Sequence, residues 1–154
     1  MFNRLLKKNT TLLTSSLHDE HSFYGAFSRD LRSANKRVLI ESPFITIRRA
    51  TEISPILKQV TRSGVEVVIF TRNPYHHDGI LVHEASSGIE LLRQSGAKVV
   101  TCDDMRHRKL AVIDNHILWE GSLNMLSQNG SKEIMRRVVS KELCQQMLRF
   151  IEVK

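Results

Sequence analysis

Two short segments in the last third of the chain carry side chains suited to work on a phosphate. They are His107-Arg-Lys109-Leu-Ala-Val-Ile-Asp114 and Gly121-Ser122-Leu-Asn124. On extended backbone, residues two apart share a face. His107 and Lys109 therefore point the same way, and so do Ser122 and Asn124. Asp114-Asn-His116 is turn-forming. A hairpin folded there sets residues whose numbers sum to about 230 opposite one another. His107 then lies across from Ser122 to Asn124, and Lys109 across from Gly121. An imidazole, an ammonium, a hydroxyl and an amide gather in one cluster. Such a set offers a nucleophile or acid, a cation for non-bridging oxygens, and neutral hydrogen-bonding groups.

Other candidates surround this pair. The polar loop after the apolar run Val65 to Phe70 holds Arg72, His76, His77 and Asp78, where α/β proteins place ligand contacts. Arg72, His76, His77 and Arg108 are the candidate substrate-binding residues. Arg48, Arg49, Arg106, Arg136 and Arg137 could add a phosphate-tracking rim, although each taken singly reads as a solvated charge. His18-Asp-Glu-His21 has possible metal ligands, but its place at a helix start favours capping and surface charge. Trp119 reads as core. Cys102 and Cys144 are far apart and sit in apolar patterns, so free thiols in a reducing cytoplasm are the default.

These residues must be positioned by a modest scaffold. The chain has 154 residues, enough for one domain with one core. Its formal net charge is +7, concentrated in the first half, which favours polyanions: nucleic acid first, an acidic membrane surface second. No apolar stretch approaches the roughly 18 residues of a membrane span, so no stable insertion is expected. Residues 1–17 lack acids and faintly resemble a targeting peptide, but without a long apolar core a flexible or docking arm is the better reading. The division expected is an N-terminal arm over 1–20 and a catalytic domain over 21–154.

Phe23, Phe27 and Leu31, four apart, predict a helix over about 22–34. Arg37 to Ser42 reads as a strand stopped by Pro43. A helix over roughly 47–62 contains Pro55, which either kinks it or starts a new helix capped by Ser54. Residues 65–71 read as a buried strand. Leu81, Ala85, Ile89 and Leu92 mark a helix ending at Gly96. Further strands follow over 98–102, 109–113 and 117–120, the last two too tightly joined to be anything but antiparallel. A final helix covers about 140–151. The alternation predicts an α/β fold with a mixed, mostly parallel sheet sandwiched between helices, and the reactive cluster on a late antiparallel hairpin.

The two segments resemble the signature of the phospholipase D-like superfamily, HxKxxxxD followed by six residues and GSxN. All six fixed positions match: His107, Lys109, Asp114, Gly121, Ser122 and Asn124. Chance would produce this on the order of once per million chains of this length. The order of elements over roughly 23–154 is similar to that of single-motif bacterial endonucleases of the superfamily. The stretch from Glu41-Ser-Pro-Phe-Ile to Met135-Arg-Arg also looks like domains attached to bacterial helicases and restriction systems. Ser131-Lys-Glu133-Ile-Met resembles the segment that supplies a glutamate in the family pattern.

The resemblance implies the following roles. One histidine attacks phosphorus to form a phosphohistidine, and a second protonates the leaving oxygen. Lys109 and Asn124 would hold non-bridging oxygens, and Ser122 would support the phosphate or the imidazole. Glu133 would accept a hydrogen bond from the other ring nitrogen of His107. Asp114, although part of the signature, fits a structural part at the turn. A single signature copy supplies one histidine where two are required, so an isologous homodimer is expected, with neither metal nor other cofactor. The leading function is a nuclease acting on DNA rather than RNA, with a helicase or other DNA-processing protein as a candidate partner. The alternatives are a phospholipid phosphodiesterase or phosphatidyltransferase, and a non-catalytic nucleic-acid-binding module.

Overall fold

The computed structural model describes residues 14–152. Seven strands form one sheet: β1 (Thr14–Asp19), β2 (Arg37–Glu41), β3 (Glu66–Arg72), β4 (Lys98–Cys102), β5 (Leu110–Ile113), β6 (Ile117–Gly121) and β7 (Ile134–Val139). Four helices pack on it: α1 (Phe23–Arg32), α2 (Ile47–Arg62), α3 (Ile80–Gln94) and α4 (Lys141–Phe150). The strand order is β1-β7-β6-β5-β2-β3-β4. No helix among the described residues is long and apolar enough to cross a membrane.

The fold is mixed α/β, as the alternation of patterns predicts. The balance of strand directions differs from expectation. Only β2–β3 and β3–β4 pair in parallel, while β1–β7, β7–β6, β6–β5 and β5–β2 are antiparallel. The difference comes from β5, which pairs antiparallel with β2 as well as with β6, and from β1 and β7, two strands whose sequences carry several polar residues. Thr14-Ser-Ser-Leu-His-Asp is mostly exposed at the sheet edge, so it lacks the apolar run that marks a buried strand. Part of the expected N-terminal arm is therefore sheet. Residues 1–13 of that arm lie outside the described residues.

Strand alternation divides the core in two. Val38, Ile40, Val67, Ile69, Ala111, Ile113 and Trp119 face α1, α2 and α3, while Leu39, Leu110, Val112 and Leu118 face α4. Phe23, Phe27 and Leu31 of α1 are all buried, as their spacing demands. Trp119 is core, as expected, and its indole N–H donates to Asp30 Oδ2 at 2.8 Å. α2 runs through Pro55 as one helix. Thr46 caps it by accepting from the Arg49 amide, and the Ser54 hydroxyl donates back to Ala50 O at 2.6 Å. Ser54 is thus a residue of a continuous helix and caps no second one. The 18–21 segment does not cap α1, whose N-cap Ser22 makes no side-chain cap hydrogen bond; Asp19 Oδ1 accepts from the amides of His21 and Ser22 just ahead of the helix.

Register brings one edge of the sheet together for chemistry. Glu41 pairs with Leu110, Leu110 with Glu120, Gly121 with Met135, and Asp19 with Ile134. The ends of β1, β2, β3 and β6 and the starts of β5 and β7 therefore share this edge. It lies outside the carboxyl ends of the parallel strands, where open α/β sheets bind ligands.

Candidate active site

The pairs Leu110–Glu120 and Ala111–Trp119 reproduce the predicted hairpin register. Lys109 is held across from Gly121, whose amide donates to Lys109 O at 3.3 Å. His107 lies in the irregular stretch just before β5, yet it converges with Lys109 as two residues of an extended chain do. Lys109 Nζ stands 2.6 Å from His107 Nδ1 and 2.6 Å from the His107 carbonyl oxygen. Phe44, in the loop after β2, sets its ring edge-on to His107 with centroids 5.9 Å apart. The Arg72 guanidinium lies over that same ring, 5.1 Å from its centroid.

These neighbours define the electrostatics. Burial, then the charges of Lys109 and Arg72, hold the His107 imidazolium below its usual range. Burial, reinforced by Arg72 and opposed by Glu133, likewise lowers the Lys109 ammonium. His107 is thus a neutral imidazole at neutral pH. With Nδ1 facing the ammonium as acceptor, the ring proton sits on Nε2. The nucleophilic state requires the proton on Nδ1 and an acceptor beside it.

Glu133 does not take that acceptor place within one chain. Its Oε1 accepts from the Ser131 hydroxyl at 2.8 Å, and its amide donates to Glu20 Oε2 at 3.1 Å. Ser122 is tied to β7: its Oγ accepts from the Ile134 amide at 3.0 Å, and its own amide donates to Ile134 O at 2.9 Å. Ser122 and Glu133 together line an open cleft of about 420 Å³ with Glu20, His21 and Lys132. The Asn124 carbonyl oxygen accepts from the amides of Ser127 and Gln128, so the loop after β6 is wound tightly. Its side-chain Oδ1 is buried with no hydrogen-bond partner among the described residues. An unpaired buried amide is costly unless something else meets it.

Several expected residues are placed elsewhere. Asp114 is at the opposite sheet edge, where its carboxylate accepts from the amides of Asn35, Lys36 and Arg37 at 2.8, 2.8 and 2.9 Å. It holds the hairpin turn against the start of β2 and takes no part in the cluster. Arg108 follows strand alternation to the α4 face, where its Nε donates to Glu41 Oε1 at 2.9 Å. It therefore does not join His107. His76 reaches Asp103 at 3.7 Å on the rim. His77 is buried and packs on Phe44 with centroids 5.0 Å apart. Arg48 and Arg49 pair with Glu52, Arg106 with Asp104, and Arg137 with Asp30, while Arg136 donates to Ser15 Oγ. The proposed arginine rim thus reduces to Arg72 near the cluster.

Three residues of the site have no signal in the sequence pattern. Phe44 reads as a loop aromatic, yet it touches both His77 and His107. Glu20 lies in a segment read as surface charge, yet its side chain is largely buried and holds the Glu133 amide and Lys132. Glu41 is 1 % exposed and receives both Arg106 and Arg108, pinning the backbone on either side of His107 from behind. A charged residue ending an apolar strand, with arginines on an alternating stretch, is the only hint of that clasp.

A mixed sheet that presents an imidazole, an ammonium and a guanidinium around one open edge is an arrangement suited to a phosphate. Residues 27–153 match a family model described as cardiolipin synthase, PLD-like domain, and the chain belongs to the phospholipase D-like superfamily. A comparison with curated proteins finds no match. Among solved structures, the fold is similar to a phospholipase D family member, Nuc, from Salmonella typhimurium. That pair is 17 % identical with a TM-score of 0.75, covering 90 % of this chain and 91 % of the other. NucT from Helicobacter pylori is 20 % identical with a TM-score of 0.74, covering 91 % and 94 %. Phosphatidylserine synthase from Haemophilus influenzae is 14 % identical with a TM-score of 0.65, covering 90 % of this chain and 38 % of that one.

Proposed function

We propose that the protein is a metal-independent phosphodiesterase that cleaves nucleic acid, DNA foremost, through a covalent intermediate on His107. The observation that carries this reading is the pairing of a neutral His107 with Lys109, at 2.6 Å, on an open sheet edge beside Arg72. The net charge of +7 supports a polyanionic substrate. The roles are those the superfamily pattern implies.

The chemistry follows from the ring's two states. A phosphodiester entering the cluster draws the Lys109 ammonium off Nδ1 and onto a non-bridging oxygen. Nδ1 can then carry the ring proton, with Glu133 as its acceptor, and Nε2 presents a lone pair. Nε2 attacks phosphorus as the bond to the leaving oxygen breaks. A second histidine, made an imidazolium by the anionic phosphate beside it, passes its Nε2 proton to that oxygen and is left neutral. Water then attacks the phosphohistidine, giving its proton to the second imidazole, and the nitrogen–phosphorus bond breaks. Asn124 Oδ1 is buried, so its amide nitrogen is the group offered to a phosphate oxygen. The second histidine is His107 of another copy across a two-fold axis, with one ring neutral and the other protonated.

The description of the matched family favours a second reading, transfer or hydrolysis at a phospholipid phosphodiester. The attacked group is the same, so substrate decides. The deciding assay incubates the protein in EDTA with single- and double-stranded DNA and RNA, and with cardiolipin or phosphatidylcholine vesicles. Wild type and His107→Ala are run side by side. Cleavage of DNA in EDTA, lost by at least about a thousandfold in the variant, is the expected result. Chelation that abolishes activity, restored by Mg²⁺, would sink the metal-independent scheme. Turnover of vesicles alone would replace nucleic acid with lipid.

A further inference from the structure

A groove of about 300 Å³ opens beside the reactive pair, between the loop after β2 and the first turn of α3. Phe44, Thr46, His77, Leu81, Ala85 and Ser127 line it. The proposed reaction leaves this groove without a task. We infer that it is a nucleobase subsite, taking one unstacked base of a single-stranded nucleic acid whose phosphate lies at His107 and Lys109. The inference rests on the nuclease reading and deepens it by naming the form of the substrate.

Continuity with the phosphate site is the first argument. The Phe44 ring contacts His77 on the groove side at 5.0 Å and His107 on the reactive side at 5.9 Å. A nucleotide whose phosphate sits on His107 therefore has its sugar and base directed along Phe44. The second argument is the chemistry of the lining. An aromatic face and aliphatic side chains accept a flat ring by stacking, and every base offers such a face. His77 is nine-tenths buried in the wall, and its Nε2 has no hydrogen-bond partner among the described residues. A base edge supplies the kind of group such a nitrogen lacks. The third argument is shape and charge. The groove, of about 300 Å³ with the hydroxyls of Thr46 and Ser127 in its lining, has room for one ring system and polar groups for its edge. The Arg72 guanidinium on Phe44 places positive charge where the strand's phosphates must pass. Tyr75, ahead of α3, and Ile80, at its start, are both well exposed and offer apolar surface for a neighbouring base. A base inside a duplex cannot enter without leaving its stack, which costs energy that a single strand does not spend.

The test compares oligothymidylate with a wholly abasic phosphodiester oligomer of equal length, both single-stranded, for cleavage and for binding by fluorescence anisotropy. Wild type is expected to favour oligothymidylate by about tenfold and to cut it faster than the same sequence in a duplex. Leu81→Asn removes apolar surface at an exposed position, and Ser127→Leu fills the groove. Both are expected to bring the ratio between the two oligomers close to one. Equal treatment of the two oligomers by wild type, or a ratio untouched by both variants, would overturn the subsite. If no oligomer is cleaved while vesicles of cardiolipin are, the nuclease reading fails. The binding ratio then still reports on the groove by itself, and a ratio near one overturns the subsite too.

Discussion

His107 has a working environment set mainly by three side chains. Lys109 meets one ring nitrogen, Arg72 adds charge, and Phe44 covers one side of the ring. Burial and the two cations hold the imidazole's pKa below that of an ordinary histidine. That favours the nucleophilic role, since an imidazolium has no lone pair to attack with, while the copy acting as acid takes up a proton when the anionic phosphate binds. A titration of His107 followed by nuclear magnetic resonance should therefore show a midpoint below about 6.5. Lys109→Met should move that midpoint upwards, because it removes the adjacent cation. A midpoint at or above the ordinary value, or one indifferent to Lys109→Met, would break the electrostatic account. The acid limb of the cleavage profile should follow the same titration. Asp114 shows the opposite lesson at this scale: a signature residue with three amide partners at the far sheet edge acts on the fold and not on the phosphate.

The hairpin of β5 and β6 works because both flanks are immobilised. On one flank, Arg106 and Arg108 converge on the buried Glu41, so the irregular stretch carrying His107 cannot drift. On the other, β6 ends in Gly121 against β7 with no room for a side chain. A Cβ there would stand 2.1 Å from Ile134 O and 2.8 Å from Met135 Sδ. The glycine of the signature is thus a requirement of strand approach. Gly121→Ala must push β7 away, carrying Ser122 and Glu133 with it. Unfolding in urea should show a loss of about 3 kcal/mol, accompanied by a fall in activity. Stability within about 0.5 kcal/mol of wild type would mean that β7 yields freely and that the close packing has no consequence.

At the scale of the molecule, one sheet edge offers one His107, and the proposed reaction needs two. An isologous pair solves this with no further residue type, since the same edge on both copies faces itself. Mixing wild type with an equal amount of His107→Ala and allowing exchange discriminates the arrangements. A shared site leaves about a quarter of the activity, because only wild-type pairs work, whereas independent sites leave about half. The second outcome, or full activity from a species that sediments as a monomer, would remove the dimer from the mechanism. Ion pairing also explains why charge alone indicates the substrate only coarsely: Arg48, Arg49, Arg106, Arg108 and Arg137 are spent on Glu52, Asp104, Glu41 and Asp30.

The sequence alone determined the reactive hairpin, its register, the helices with a clean apolar stripe, and the membership that the spacing of six residues implies. Those features are local: alternation, turn residues and four-residue spacing are written within a few positions of each other. Only the tertiary structure decided that Thr14–Asp19 and Ile134–Val139 are strands, because their hydrogen bonds are made to distant segments and the polar side chains of Thr14–Asp19 suit an exposed edge. It likewise decided that Phe44, Glu20 and Glu41 belong to the site while Arg108 and Asp114 do not. Which way a side chain faces across a sheet, and what waits there, depends on chain segments dozens of residues away, and no spacing rule reaches that far.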